Sequence, residues 1–143
     1  MPQATFYQLS AKMLTLVEQR RASCRVVAKA WQVLGRVDVL LPDAGTLTEI
    51  DNFLWTFHAG SFIPHGADPI EPVYLFLDPG LRRADAPGLI LMEWDRPEIP
   101  LAPPADRLID FIPAAVAARA SARERYRQCK QAGYSMQVHP LES

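Results

Sequence analysis

Two stretches of almost unbroken apolar sequence limit the folds open to this chain more than any other feature. They are VYLFLD, residues 73–78, and GLILMEW, residues 88–94. A strand with one face in water alternates apolar and polar residues, whereas a strand covered on both faces is apolar nearly throughout. Both stretches therefore predict central strands of a parallel sheet that lies between layers of helices.

Helical periodicity supplies the candidates for those layers. The stretch 10–34 lacks Gly and Pro, and its apolar residues recur at spacings of three, four or seven until Gly35. Such spacing places them on one helix face, and a glycine commonly follows a helix end. Two more helices are predicted, at 46–57 and at 114–133.

Three shorter segments complete the set of predicted strands, which is five. They are ATFYQL (4–9), RVDVLLP (36–42) and RLIDFI (107–112). The order strand, helix, strand, helix, strands, helix predicts a three-layer α/β sandwich with a mainly parallel five-stranded sheet. We expect a single domain over residues 1–143, with fraying of the last residues, 138–143.

The sequence gives no sign of a nucleotide-binding loop. Between the first strand and the first helix stands QLSAKM (8–13), without GxGxxG or GxxxxGK[ST], so the backbone cannot cradle a pyrophosphate there in the usual way. The three histidines and two distant cysteines match no zinc spacing, and we expect neither metal nor cofactor. The cysteine usage fits a reducing cytoplasm, and no apolar run approaches the roughly 20 residues that span a bilayer.

Carboxylates at the ends of predicted strands allow the hypothesis that the chain is an enzyme. Such groups form catalytic sets in some folds, but solvation or capping explains most of them. A small enzyme of unknown reaction is therefore the third-ranked hypothesis. The candidates are Asp78, Glu93, Asp95 and Asp110.

Positive charge is concentrated near the C-terminus of a slightly acidic chain. Residues 112–143 carry a net charge of +3, and the remaining residues −4. On a helix, most of the basic residues fall on one stripe, while Arg125 lies off it. The stripe consists of Arg119, Arg123, Tyr126, Arg127 and Lys130.

The stripe alone permits three interpretations. Cations near a helix C-terminus can simply complement the helix dipole. A nucleic acid would require an extended positive track and, for unpaired bases, several stacking aromatics, whereas the stripe has one. An acidic peptide needs only a few fixed guanidinium groups and an apolar notch, which Ile112 is placed to line.

Three stretches in series resemble the chi subunit family of bacterial DNA polymerase III, an accessory component of the clamp loader. They are residues 4–9, IDNFLWTFHAGSFIPHG (50–66), and DFIP (110–113) followed by ARERYRQCKQAGY (122–134). The resemblance implies a Rossmann-like fold without nucleotide binding and without catalysis. It also implies an adaptor that links the clamp loader to single-stranded-DNA-binding protein.

The resemblance assigns the stripe to the acidic C-terminal tail of single-stranded-DNA-binding protein. Arg123 is expected to meet the terminal carboxylate of that tail, and Ile112 and Tyr126 to shelter its final Phe. Arg119 and Arg127 would attract the aspartates before it. DNA is then present only indirectly; a direct single-stranded DNA-binding module is the alternative.

A second site is implied for the middle stretch. Trp55, Phe62 and Pro64 match family positions that contact the psi subunit or a competing repair helicase. The residues themselves also allow a simpler explanation, because Trp55 suits a core and an aromatic beside a proline often closes a loop. A cytoplasmic protein with these protein partners and no membrane contact is the resulting prediction.

Overall fold

One parallel sheet runs through the described part of the protein. The structure, a computed structural model, describes residues 2–56, 62–101 and 104–141. The strands are β1 Gln3–Leu9, β2 Val37–Leu40, β3 His65–Gly66, β4 Val73–Phe76, β5 Gly88–Leu91, β6 Arg107–Ile112 and β7 Ser135–Leu141. The helices are α1 Leu16–Leu34, α2 Ala44–Thr56 and α3 Val116–Gln131. The strand order is β3-β4-β2-β5-β6-β1-β7, and each neighbouring pair is parallel.

The α/β class and the mainly parallel sheet are confirmed, but the number of strands is wrong. The apolar stretches 73–78 and 88–94 form β4 and β5, which flank β2 and are buried along their length. Two further strands, β3 and β7, bring the described sheet to seven. We expected residues 138–143 to fray. For residues 138–141 this is wrong, because they belong to β7, which pairs with β1. The Rossmann-like label stays a prediction.

The two faces of the sheet bury separate apolar clusters. Alternate strand residues point to opposite faces, so Val39 and Ile90 belong to one cluster and Leu40 and Leu91 to the other. Helices α1 and α2 cover the first face, and α3 covers part of the second. Helices therefore lie on both sides of the sheet, as the continuous apolar strands require.

Helix α1 starts later than its sequence pattern suggests. The Thr15 side chain caps it by accepting a hydrogen bond of 3.1 Å from the Glu18 backbone N–H. The sequence pattern places the helix after Met13, and the observed start at Leu16 is later because Thr15 serves as the N-cap. At the other end Gly35 adopts a φ of 80°, which favours glycine, and its N–H binds the Trp31 carbonyl.

Strand β7 forms one edge of the sheet, with one side bonded along β1 and its flanking residues and the other side unpaired in the described part of the chain. The Ser135 N–H donates to the Pro2 carbonyl, and the Leu141 carbonyl accepts from Ser10. Since backbone groups alternate along a strand, residues 136, 138 and 140 direct theirs away from β1. Pro140 has no N–H, so the outward-facing edge lacks one donor.

Candidate functional site

Helix α3 divides its side chains between the sheet and the solvent. Ala118, Ala122, Arg125 and Cys129 are buried against the sheet. At 3.6 residues per turn, the predicted stripe covers an arc of about 100° on the adjacent flank of the helix. The helix therefore brings the five stripe residues together, as predicted, and sets Arg125 apart from them.

Three cations of the stripe have no partner in the described part of the protein. Arg123 and Lys130 are exposed and Arg119 is half-buried, and their side chains make no hydrogen bond or ion pair with described residues. Their charges are thus available to an external anionic group. This is the arrangement that the acidic-peptide interpretation requires.

Arg127 differs from the other stripe cations because it is already paired. Its guanidinium donates two hydrogen bonds to the carboxylate of Glu124, one turn earlier on the helix. The hydrogen bonds from Arg127 and Gln128 lower the pKa of Glu124, and the same contact raises the pKa of Arg127. The pair is therefore fully charged at neutral pH, and an external carboxylate must compete with Glu124 for Arg127.

The two side chains predicted to shelter the apolar end of a peptide border one buried cluster. Ile112, at the end of β6, and Tyr126, on α3, are both partly buried and pack against the cluster that contains Phe6. The Tyr126 and Phe6 rings meet edge to face, with centroids 5.3 Å apart. Tyr126 is thus fixed by the core on one side while it stays in the cationic stripe, beside Arg123 and Arg127, on the other.

Arg125 lies beneath this surface in a buried ion pair. Its Nε donates to Asp110 at 2.7 Å, and its Nη1 donates to the carbonyls of Trp94 and Arg96 at 2.9 and 2.7 Å. Burial raises the pKa of Asp110, while Arg125 and the Phe111 N–H act to lower it. The guanidinium thereby joins α3 to β6 and to the loop after β5.

A second surface is formed at the end of α2. The Trp55 side chain is 52% exposed and Phe62 is 65% exposed, with ring centroids 5.7 Å apart. Pro64 follows in the same segment and is partly buried. Trp55 is therefore not a core residue. Residues 57–61 of the predicted motif lie outside the described part of the chain.

Comparison with known proteins identifies the family. Residues 1–137 match the family described as DNA polymerase III chi subunit, HolC. The chain belongs to the chi subunit family. The DNA polymerase III subunit chi of Pseudomonas aeruginosa is 29% identical over 133 residues, which cover 85% of each chain. The protein of the same name from Haemophilus influenzae is 28% identical, and the match covers 93% of each chain. The one from Escherichia coli is also 28% identical, and the match covers 95% of this chain and 96% of that protein.

The prediction of the chi subunit family, a family of replication accessory proteins, is thereby confirmed. Asp110 and Arg125 both lie in the stretches that carry the resemblance, yet the sequence did not show that they pair. A signal was present, since Asp110 interrupts the otherwise apolar run LIDFI, residues 108–112. A buried carboxylate requires a partner, and Arg125 was the one helix cation off the stripe.

Three of the four strand-end carboxylates are engaged in structural contacts. Asp110 is buried in the ion pair, Asp78 accepts from the Gly80 N–H at 2.9 Å, and Glu93 pairs with Arg96 at 3.2 Å. The described residues include no cluster of three or more potential metal ligands and no helix long and apolar enough to cross a bilayer. Burial raises the pKa of both cysteines to about 12, so neither is poised as a thiolate.

Proposed function

We propose that this chi-family chain is a non-catalytic cytoplasmic adaptor of the DNA polymerase III holoenzyme. The stripe on α3, with Ile112, binds the acidic C-terminal tail of single-stranded-DNA-binding protein. The surface of Trp55, Phe62 and Pro64 binds psi or an equivalent clamp-loader protein, or a repair helicase in its place. The observation that carries the proposal is a set of three cations without a partner among the described residues, on a helix whose Tyr126 packs against the same buried cluster as Ile112.

An acidic peptide suits the stripe better than a nucleic acid does. The positive field comes from one helix on a body whose remaining residues carry a net charge of −4. A single strand of DNA gains affinity from successive aromatic platforms and a long basic track. Here Tyr126 is the one aromatic of the stripe, and it already packs edge to face on Phe6.

The expected affinity is moderate and depends on salt. Short-peptide contacts of this size commonly give micromolar dissociation constants, about −8 kcal/mol. Exposed charges provide much of the attraction, and mobile ions screen exposed charges over about 8 to 10 Å at 0.1 to 0.15 M salt. Affinity for the tail should therefore fall steadily as salt is added.

The tail site is tested by titrating a labelled peptide ending in DDDIPF onto the full chain. Arg123→Ala should weaken binding at least tenfold, because the terminal carboxylate loses its guanidinium partner. Lys29→Ala, which removes an exposed cation from α1, is the matched control and should bind like the wild type. Equal binding by Arg123→Ala, or tighter binding of a single-stranded oligonucleotide than of the peptide, would contradict the proposal.

The partner site is tested by co-purification from the native cell. Phe62→Ala should lose the clamp-loader partner and keep its affinity for the tail peptide, since Phe62 is exposed and far from α3 along the sheet. Leu81→Ala truncates another exposed apolar side chain and serves as the control. If Phe62→Ala retains its partner, or if it also loses the tail peptide and its fold, the assignment fails.

A further inference from the structure

Side chains of β1 and β7 lie beside the α3 stripe, yet the proposed function gives them no role. Phe6 on β1 is in register with Asp110 on β6 and with Val138 on β7, so the three side chains lie on one face of the sheet. Two residues further along the strands, the next row on that face consists of Ile112, Gln8 and Pro140. Gln8 is exposed, and Val138 is 46% exposed, so this corner of the sheet is accessible from solvent.

The contacts of α3 show toward which strand the stripe is directed. Arg125 bonds to Asp110 on β6, and the Tyr126 ring packs on Phe6 of β1, one strand nearer to β7. The step from Arg125 to Tyr126 is a rotation of about 100° round the helix, and the cations of the stripe follow at about 120 to 200° in the same sense. The cations therefore lie on the side of α3 that faces β7.

The exposed Gln8 lies on the sheet beside this flank of the helix. Because α3 connects two parallel strands, it runs antiparallel to them. Arg123 precedes Tyr126 by three residues, about 4.5 Å along the helix axis. Since Tyr126 lies at the level of Phe6, Arg123 lies between the levels of Phe6 and Gln8, which are about 6.6 Å apart along the strand. The sheet and the helix thus form a notch with Gln8 as its floor and Arg123 at its rim.

We propose that β1 and β7 complete the tail site, and that the apolar terminal side chain of the acidic peptide lies over Gln8, between Ile112 and Val138. Strands β6 and β7 are two intervals apart, about 9.6 Å at the usual spacing, so one side chain fits between these walls. Burying the exposed surface of Val138 favours an apolar terminal residue. The identity of the peptide rests on the proposed function, whereas the position of the notch does not.

The notch is tested by filling it while every cation stays in place. Gln8→Trp should weaken binding of the labelled peptide ending in DDDIPF to the full chain by about tenfold, because the terminal side chain loses its apolar burial. Gln137→Trp is the matched control, at an exposed position on the other face of β7, and should bind like the wild type. Circular dichroism should be unchanged, since Gln8 is exposed. Wild-type affinity in Gln8→Trp would overturn the proposal.

A double-mutant cycle tests the contact with Val138 directly. Val138→Ala should weaken binding of the peptide that ends in Phe by about threefold. It should leave unchanged the weaker binding of a peptide that ends in Ala, which has no ring to contact the wall. Val33→Ala, at an exposed valine on α1, is the control and should change neither affinity. Equal losses for the two peptides would contradict the contact.

The two proposals fail in different ways. If the peptide binds through Arg123 but ignores both Gln8→Trp and Val138→Ala, the notch over β1 is refuted and the tail site stands. If Arg123→Ala binds the peptide as the wild type does, the tail site itself is refuted.

Discussion

Arg125 and Arg127 lie two residues apart on α3, yet their guanidinium groups serve different purposes. Arg125 is 1% exposed and donates to Asp110 and to three backbone carbonyls. Arg127 faces solvent and pairs with Glu124. Removing one partner of a buried pair leaves an uncompensated charge, whereas an exposed pair contributes little to stability.

At this residue scale we expect Arg125→Met to lower the free energy of unfolding by about 3–5 kcal/mol. The double variant Arg125→Met, Asp110→Leu should recover part of that loss, because it leaves no buried charge. Urea unfolding measures both. Arg127→Met is the control and should leave the free energy of unfolding nearly unchanged. A double variant less stable than Arg125→Met would show that Asp110 contributes more through the hydrogen bond from the Phe111 N–H than it costs as an unpaired buried charge.

We expect Glu124→Gln to strengthen binding of the acidic tail peptide by up to about fivefold. The substitution frees the Arg127 guanidinium, which Glu124 holds at neutral pH because the pKa of this carboxyl is lowered. Fluorescence titration of the peptide gives the affinity. Glu98→Gln, at an exposed carboxylate outside the stripe, should have a smaller effect. Equal gains in the two variants would indicate a general charge effect instead of release of Arg127.

Sequence reasoning recovers the positions of such residues better than their partners. The period of a helix separates Arg125 from the stripe without any structure. It does not show that Asp110 lies opposite Arg125, because that depends on how α3 packs over β6. The contacts of the His65 ring, on β3, with the backbone carbonyls of Asp51 and Ile63 likewise depend on how the chain packs.

At the scale of elements, the start of α3 has no side-chain cap. Ala115 is in the extended conformation, with φ −62° and ψ 137°, and the first turn has no acidic residue. We expect Ala115→Ser to raise the free energy of unfolding by about 1 kcal/mol, because the hydroxyl accepts from a free N–H of the first turn. Urea unfolding is the measurement. Ala117→Ser, inside the helix, should give no gain, and an equal gain there would refute capping as the cause.

The outer edge of β7 makes a second prediction possible. Pro140→Thr restores an outward-facing N–H, so we expect self-association at high protein concentration in sedimentation velocity. His139→Thr alters the neighbouring residue, whose N–H faces β1, and should remain as monomeric as the wild type. Association of His139→Thr alone would mean that side chains, and not the free N–H, control this edge.

The elements that sequence reasoning missed share a physical cause. Strands β4 and β5 are buried on both faces, so hydrophobicity reveals them. Strand β7 is mostly exposed and contains a proline, so its sequence SMQVHPL has no apolar pattern to detect. Its hydrogen bonds with β1 define it, and β3 is only two residues long.

At the scale of the whole molecule, the two proposed surfaces are well separated. Four strand intervals lie between β3 and β6, about 19 Å at the usual spacing, and α2 and α3 lie on opposite faces of the sheet. We expect the tail peptide and the partner protein to bind together, with tail affinity changed less than twofold by saturating partner. A competition titration tests this, and mutual exclusion would require the surfaces to overlap.

Salt should distinguish the same two surfaces. Between 50 and 300 mM salt we expect the tail affinity to fall about tenfold, since exposed charges are screened, and the partner affinity to change little, since Trp55 and Phe62 are apolar. Calorimetry at several salt concentrations measures both. Equal salt dependence would mean that the partner also binds through charge. The net charge of the whole chain, −1, does not show that one proposed surface is cationic and the other apolar.

Arg125 lies on the inner side of α3, so the residues that hold the helix on the sheet are separate from those proposed to bind the tail. We therefore expect that substitutions can change the binding of an acidic peptide without changing the stability of the fold. A version with glutamates at the outward cations would keep its shape while repelling acidic ends, and it would serve as an inert competitor within the replication assembly.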